Sequence, residues 1–283
     1  MPADRIFATP RVVESRSAAL RIGLTIVAAI AAGAWLGPSI VGLDPSAQDL
    51  ARRLGGPSVS HPMGLDELGR DILARVAAGA RVSLLVGVIV VAVSAAVGTL
   101  IGAVAGYFGG WVDDVVSRVM DTLLAFPGLL LAIALVAVLG PSLTNVLAAL
   151  TVIGWVGYAR LVRGQVLRTR GLDYVWAARA LGAGAPRLLW KHIIPAAAPA
   201  VIVQATLGMA GAIICEAGLS FLGLGVQPPT PSWGTMLNGG RAHLLDAPHL
   251  TVFPGLAIAV LVLGFNFLGD GLRDLADPKY TRR

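Results

Sequence analysis

Six stretches of this chain, each 17 to 26 residues long, contain no charged side chain: Ile22–Leu43, Val82–Tyr107, Thr122–Gly140, Leu143–Ala159, Ala196–Ile214 and Leu250–Leu268. A helix rises about 1.5 Å per residue and needs roughly 20 mainly apolar residues to cross the hydrocarbon core of a bilayer. Inside that core every backbone N–H and C=O must be bonded internally, and a single long apolar run meets this only as a helix. The expected fold is an all-α membrane protein of six transmembrane helices.

Charged residues make up 13% of the chain and hydrophobic ones 56%, against about 25% charged in soluble domains. A net charge of +6 invites a nucleic-acid reading. The cations, however, sit between the apolar runs rather than on one basic face with stacking aromatics, so no nucleic-acid partner is expected. A single cysteine, Cys215, excludes an internal disulfide and a cysteine metal framework, and suits a setting against lipid or another helix. The first apolar run is long, begins only near Arg21 and lacks a small-residue cleavage site, so it reads as a retained span.

Lys and Arg concentrate in cytoplasmic loops of membrane proteins. With the N-terminus cytoplasmic, the inside holds 16 of the 22 cations: Arg5, Arg11, Arg16, Arg21, Arg118, seven from Arg160 to Lys191, and Arg273, Lys279, Arg282 and Arg283. The outside holds Arg52, Arg53, Arg70, Arg75, Arg81 and Arg241. Both termini are thus expected in the cytoplasm. Five of the outer six fall in the first loop, Asp44–Arg81, where Asp66, Glu67 and Asp71 are available to pair with them. Pro127 and Pro199 fall inside spans, where a missing N–H kinks a helix. Pro254 is read into a first turn.

Several chemistries are missing. Glu216, Asp121 and Arg160 sit at span ends, and the mid-span polar residues (Ser94, Thr99, Thr151, Gln204, Thr206 and Asn266) are neutral. A proton or ion relay normally needs ionisable groups at membrane depth. There is no phosphate-cradling Gly-rich Lys loop, no His-Glu-x-x-His zinc pair and no Gly-x-Ser-x-Gly elbow. No metal, cofactor or catalytic residue is expected, and uphill transport would draw its energy from another subunit. A stand-alone channel or facilitator also fits the uncharged spans. A membrane enzyme would need a residue cluster that is not found.

The longest cytoplasmic connection, Arg160–Pro195, carries "DYVWAARALGAGAPRLLWKHIIP". Asp173 suits the N-cap of a short helix over Tyr174–Leu181. Gly182 and Gly184 permit the positive φ that ends it, Pro186 suits the first turn of a second helix, and Pro195 halts that helix before the fifth span. Trp176 with Ala180, Ala177 with Leu181, and Arg187 with Lys191 pair at i,i+4. Two readings stand side by side: an interfacial amphipathic element seated by its tryptophans, and a docking element that passes movement from a soluble partner into the spans.

At these residues the chain resembles the permeases of binding-protein-dependent ABC importers. Their loop carries Glu-Ala-Ala, three residues, Gly, nine residues, then Ile-x-Leu-Pro. Here "WAARALG" places Ala177, Ala178 and Gly182 on the Ala-Ala and Gly positions, with Ile194 and Pro195 at the end. Trp176 stands in place of the Glu and His192 in place of the Ile. "ARALGA…HIIP", "MGLDELGRDILARVAAGARVSL", "GYFGGWVDDVVSRVMD", "AFPGLLLAI", "CEAGLSFLGLGVQPPTPSWGTML" and "NFLGDGLRDLADP" are similar to the dipeptide/oligopeptide/nickel branch, and to its second permease subunit, over roughly Leu36 to Tyr280. The resemblance implies a type I ABC importer permease fold in a bacterial plasma membrane and a peptide as solute, with nickel, haem or glutathione as alternatives. It also implies a second permease, two cytoplasmic ATPase subunits that bind ATP and Mg, and an extracytoplasmic solute-binding protein. Residues 1–80 would supply a tail, the first span and the outer loop; residues 81–283 would supply the five-span core with hairpin 160–195. Within the hairpin, Trp176, Ala177, Ala178, Arg179, Gly182, Arg187, His192 and Pro195 would meet the ATPase.

On the outer side, "ELGRDILARV" spaces Leu68, Ile72 and Val76 as an amphipathic helix into the second span. Arg70, Asp71 and Arg75 beside it either pair within the helix or form a landing surface for the binding protein. Glu216 either faces the pathway and attracts a peptide amino group, or is an ion-paired or snorkelled acid. Trp233, in the proline-rich "QPPTPSWGTML", caps or dips towards the pathway. Gln204, Thr206, Thr151 and Asn266 are wall candidates, with helix–helix hydrogen bonding as their other role.

Overall fold

The apolar runs become helical, and all but the third lie largely within a single helix that continues beyond the run at one end or both. The computed structural model describes residues 10–42 and 44–276, so Leu43, Arg5, Lys279, Arg282 and Arg283 lie outside the described residues. The elements are α1 (Pro10–Val41), α2 (Ile72–Phe108), α3 (Gly110–Leu124), α4 (Gly128–Leu139), α5 (Leu143–Thr169), α6 (Asp173–Ala180), α7 (Ala185–Leu188), α8 (Ile194–Phe221), α9 (Trp233–Gly240) and α10 (His249–Ala276). A π-helical turn, Leu189–Ile193, joins α7 to α8. No strand occurs among the described residues.

Glycines set how the long helices meet. Gly98, Gly102 and Gly106 of α2 lie against Trp155, Ala159 and Val166 of α5, in the same order along both helices. A Cβ on Gly98 would come 2.5 Å from the Trp155 carbonyl oxygen, so backbone rides on backbone, as small residues at four-residue spacing allow. α2 and α5 therefore run parallel. α8 is antiparallel to α2, with Gly87 against Met209 and Ile213, and Ser83 against Glu216. α1 is antiparallel to α10, with Gly23 on Leu268 and Gly271 on Leu20.

Parallel α2 and α5 oblige residues 109–142 to carry the chain back across the layer. The third span does this as two helices, α3 and α4, bent by 85° at their junction. The expected single helix, Thr122–Gly140, is corrected here. Pro127 caps α4 in an extended conformation, because its missing N–H and its ring against the preceding residue end helical geometry rather than kink it. Counting the pair once gives six crossings. The start of α1, the end of α10 and the α6–α7 hairpin then share one end of the bundle. Residues 44–71 and 222–248 share the other.

Other local expectations also change. Leu68 lies in a turn before α2, since Asp71 caps that helix with its carboxylate on the Ala74 N–H at 2.8 Å. Leu172, not Asp173, is the N-cap of α6, and Asp173 sits in the first helical turn. Gly184 is extended, with φ −71°. Pro195 does not halt a helix: residues 185–221 run on as one 37-residue span, and the wide turn just before Pro195 accommodates its missing N–H. Pro254 lies inside α10 rather than in its first turn.

Candidate functional site

The hairpin is built on one glycine. After α6, the Gly182 N–H bonds the Arg179 carbonyl at 2.9 Å and the Ala183 N–H bonds the Ala178 carbonyl at 3.1 Å. Gly182 has φ +86°. This paired arrangement is a Schellman turn, which needs a left-handed residue at its centre. Pro186 then opens α7. Buried Val175, Leu188, Leu189 and Ile193 anchor the hairpin, the last two packing with Ala103 of α2 and with Val162 and Val166 of α5.

Its outer face is open. Leu181 is 89% exposed, Trp190 63% and Trp176 55%. The Arg179 guanidinium lies 5.0 Å from the Trp176 ring centroid, and its Nη2 donates to the Tyr107 hydroxyl at 3.3 Å. Trp176 is thus stacked on a cation that is itself tied to the end of α2, a cation–π contact. Ala177, Gly182, Arg187 and Pro195 are exposed; Ala178 and His192 are half-buried, His192 with its ring 6.2 Å from that of Tyr174. Arg170 Nη1 donates to the Gly106 carbonyl at 2.9 Å. Arg163 grips Asp113 of α3 with two bonds, one of them 2.7 Å, and Arg160 meets Asp121 at 2.7 Å. From sequence these cations read only as a positive-inside signal; α3 supplies the partners of Arg160 and Arg163, and α2 those of Arg170 and Arg179.

Halfway along the spans, α2, α4, α5 and α8 line an open cavity of about 240 Å³. Val90, Val91, Leu150 and Ile153 give it an apolar wall, with Ser94, Tyr158, Gln204 and Cys215 among its lining residues. Of the pathway candidates, Gln204 lines this cavity. Thr206 turns its hydroxyl back to the Ile202 carbonyl at 2.9 Å, and Asn266 sits half-buried on α10, apart from it. Glu216 is fully buried between α2 and α8, accepting from Ser220 at 2.7 Å and from Ser83 at 3.4 Å. Trp233 is buried too, its Nε1–H donating to the Val76 carbonyl at 2.9 Å. Both belong to the packed end that joins α2, α8 and α9.

At that end the first loop satisfies its own charges. Asp66 takes Arg70 at 2.7 Å and Arg75 at 3.4 Å, and Asp71 takes His61 at 2.8 Å. Asp71 and Arg75 are buried, and Arg70 is half-buried. Arg81 donates to the carbonyls of Ala34 and Trp35 of α1 at 2.5 and 3.3 Å. The surplus of cations at this end is largely internal.

The family of binding-protein-dependent transport system inner membrane components matches residues 98–282. Over 263 residues, 93% of this chain and 86% of the relative, the chain is 49% identical to the glutathione transport system permease protein GsiD of Shigella flexneri serotype 5b. It is 48% identical, over the same shares, to the protein of that name from Escherichia coli O157:H7. With its six crossings and its exposed hairpin, the chain belongs to the binding-protein-dependent transport system inner membrane component family, as a multi-pass permease subunit of an ABC importer.

Proposed function

We propose that this permease forms half of the pathway of an ATP-driven importer for short peptides. A homologous second permease supplies the other half. Two cytoplasmic ATPase subunits hold the ATP and Mg, so this chain carries no cofactor and no catalytic group, and an extracytoplasmic binding protein delivers the solute. Residues 81–283 act as the moving core, with residues 1–80 as its N-terminal flank. The hairpin and both termini face the cytoplasm, in keeping with 16 of 22 cations at that end. The glutathione named for the relatives makes that tripeptide the first solute to test, ahead of nickel and haem.

One observation carries the coupling role. A hairpin anchored by buried residues in α2, α5 and α8 holds two tryptophans and a leucine out to solvent. Large apolar side chains held this way favour burial against a partner. Trp176, standing where the family pattern has an acid, docks by burial, and Arg179 fixes its plane.

The test is Gly182→Val. A Cβ at Gly182 meets nothing within 4 Å, but its φ is +86°, so the cost, about 1–3 kcal/mol, falls on the turn alone. The variant should reach the membrane and co-purify with the ATPases, while ATP hydrolysis no longer drives uptake. Uptake at the parental rate would sink the docking role.

A further inference from the structure

The mid-membrane cavity holds a feature that helix packing does not use. Ser94 lines it, is 1% exposed, and its hydroxyl has no hydrogen-bond partner. A buried hydroxyl left unpaired costs about 1–3 kcal/mol, so the site is incomplete when empty. The Tyr158 hydroxyl, also of a lining residue, lies 3.5 Å from the Gln204 backbone oxygen, a bond too long to occupy it fully. Glycines thin the walls: Gly128 on α4, Gly154 and Gly157 on α5, and Gly208 and Gly211 on α8.

We propose that this cavity is a solute-transit site that accepts the uncharged part of a short peptide, its amide backbone and small side chains, with the Ser94 hydroxyl as the hydrogen-bonding contact. The inference rests on the permease reading and adds where, and by what chemistry, solute is met. None of the lining residues is charged. A carboxylate or ammonium entering here would lose hydration and gain no counter-charge. An amide finds a hydroxyl donor and acceptor in Ser94 and Tyr158, and an apolar side chain finds valine, leucine and isoleucine. The cavity measures about 240 Å³. That is room for part of a peptide, leaving its charged ends to lie beyond the cavity.

Two glycines make the test clean. A Cβ on Gly157 or Gly211 meets nothing within 4 Å, so Gly157→Leu and Gly211→Leu place bulk in the cavity without displacing backbone. Gly33→Leu, equally unobstructed but on α1, is the control. The complete transporter, permeases with ATPases and binding protein, is reconstituted and supplied with ATP and labelled S-methylglutathione, a probe without a free thiol. Each plug should cut uptake by about tenfold or more, the scale of a methylene misfit in a hydrophobic pocket. Ser94→Ala should also lower it, and Gly33→Leu should leave it unchanged. Independently of any variant, N-ethylmaleimide should alkylate Cys215, the only cysteine of this chain, more slowly when S-methylglutathione is present. If the plugs do not assemble with their partners, this protection decides the matter. Parental uptake by both plugs, or Cys215 alkylation indifferent to S-methylglutathione, overturns the transit site while leaving the permease reading intact. A parental complex that moves no peptide on ATP would strike at the permease reading itself.

Discussion

Single residues carry more of this protein's order than their types suggest. Trp233, which from sequence caps or dips towards the pathway, is buried at the packed end of the bundle, its indole N–H on the Val76 carbonyl across 157 residues of chain. Trp233→Phe removes that donor and leaves a gap. It should lower stability by about 1–2 kcal/mol, seen as an earlier melting transition of the purified complex, while hairpin docking is untouched. An unchanged transition would mean that the bond contributes nothing. Legibility at this scale divides by range. Gly182 was readable because a helix C-terminus demands a left-handed residue within a few positions of its end, and local chemistry announces it. Ser94 was readable only as a neutral mid-span residue, since lacking a partner is a property of four helices together. The setting of Glu216 is hidden for the same reason: its serine partners Ser83 and Ser220 lie 133 and 4 positions away, and only the nearer one is visible in its own helix.

The elements follow the apolar pattern closely, and their errors sit at prolines and charges. α2 and α8 each absorb residues that the uncharged-run criterion leaves in loops: Arg75 and Arg81 of α2 find partners inside the fold, and Glu216 of α8 is held by Ser83 and Ser220. The third span breaks where Pro127 removes a donor, and the length of α4, 12 residues or about 18 Å, shows why a second helix must complete the crossing. The contact between α2 and α5 is the element most open to a direct test. A Cβ on Gly102 collides with the Ala159 backbone, so Gly102→Val has no side chain to push aside and must separate two helices. Overpacking of this kind costs about 1–3 kcal/mol or more. Gly102→Val should therefore reduce the amount of monodisperse permease extracted from membranes, with Gly33→Val unaffected. Equal yields would show that the parallel pair tolerates being spread.

For the whole molecule, helix directions link energy and pathway. Parallel α2 and α5 place the hairpin at the ends of both, through Arg170 on the Gly106 carbonyl and Arg179 on Tyr107. The same two helices line the mid-membrane cavity. Under the proposed docking role, a push on the hairpin would be passed towards the cavity along these two helices. The order of elements, the position of the hairpin and the importer family were legible in the sequence. The cavity was not, because it arises where glycines of α4, α5 and α8 meet across the bundle. On the proposed function, this chain moves solute only when a separate ATPase drives it. The most direct measurement is glutathione accumulation in proteoliposomes holding the full complex, with hydrolysable ATP, with a non-hydrolysable analogue, and with this chain alone. Accumulation against a gradient is predicted only for the full complex with hydrolysable ATP; glutathione flux through the chain by itself would contradict it.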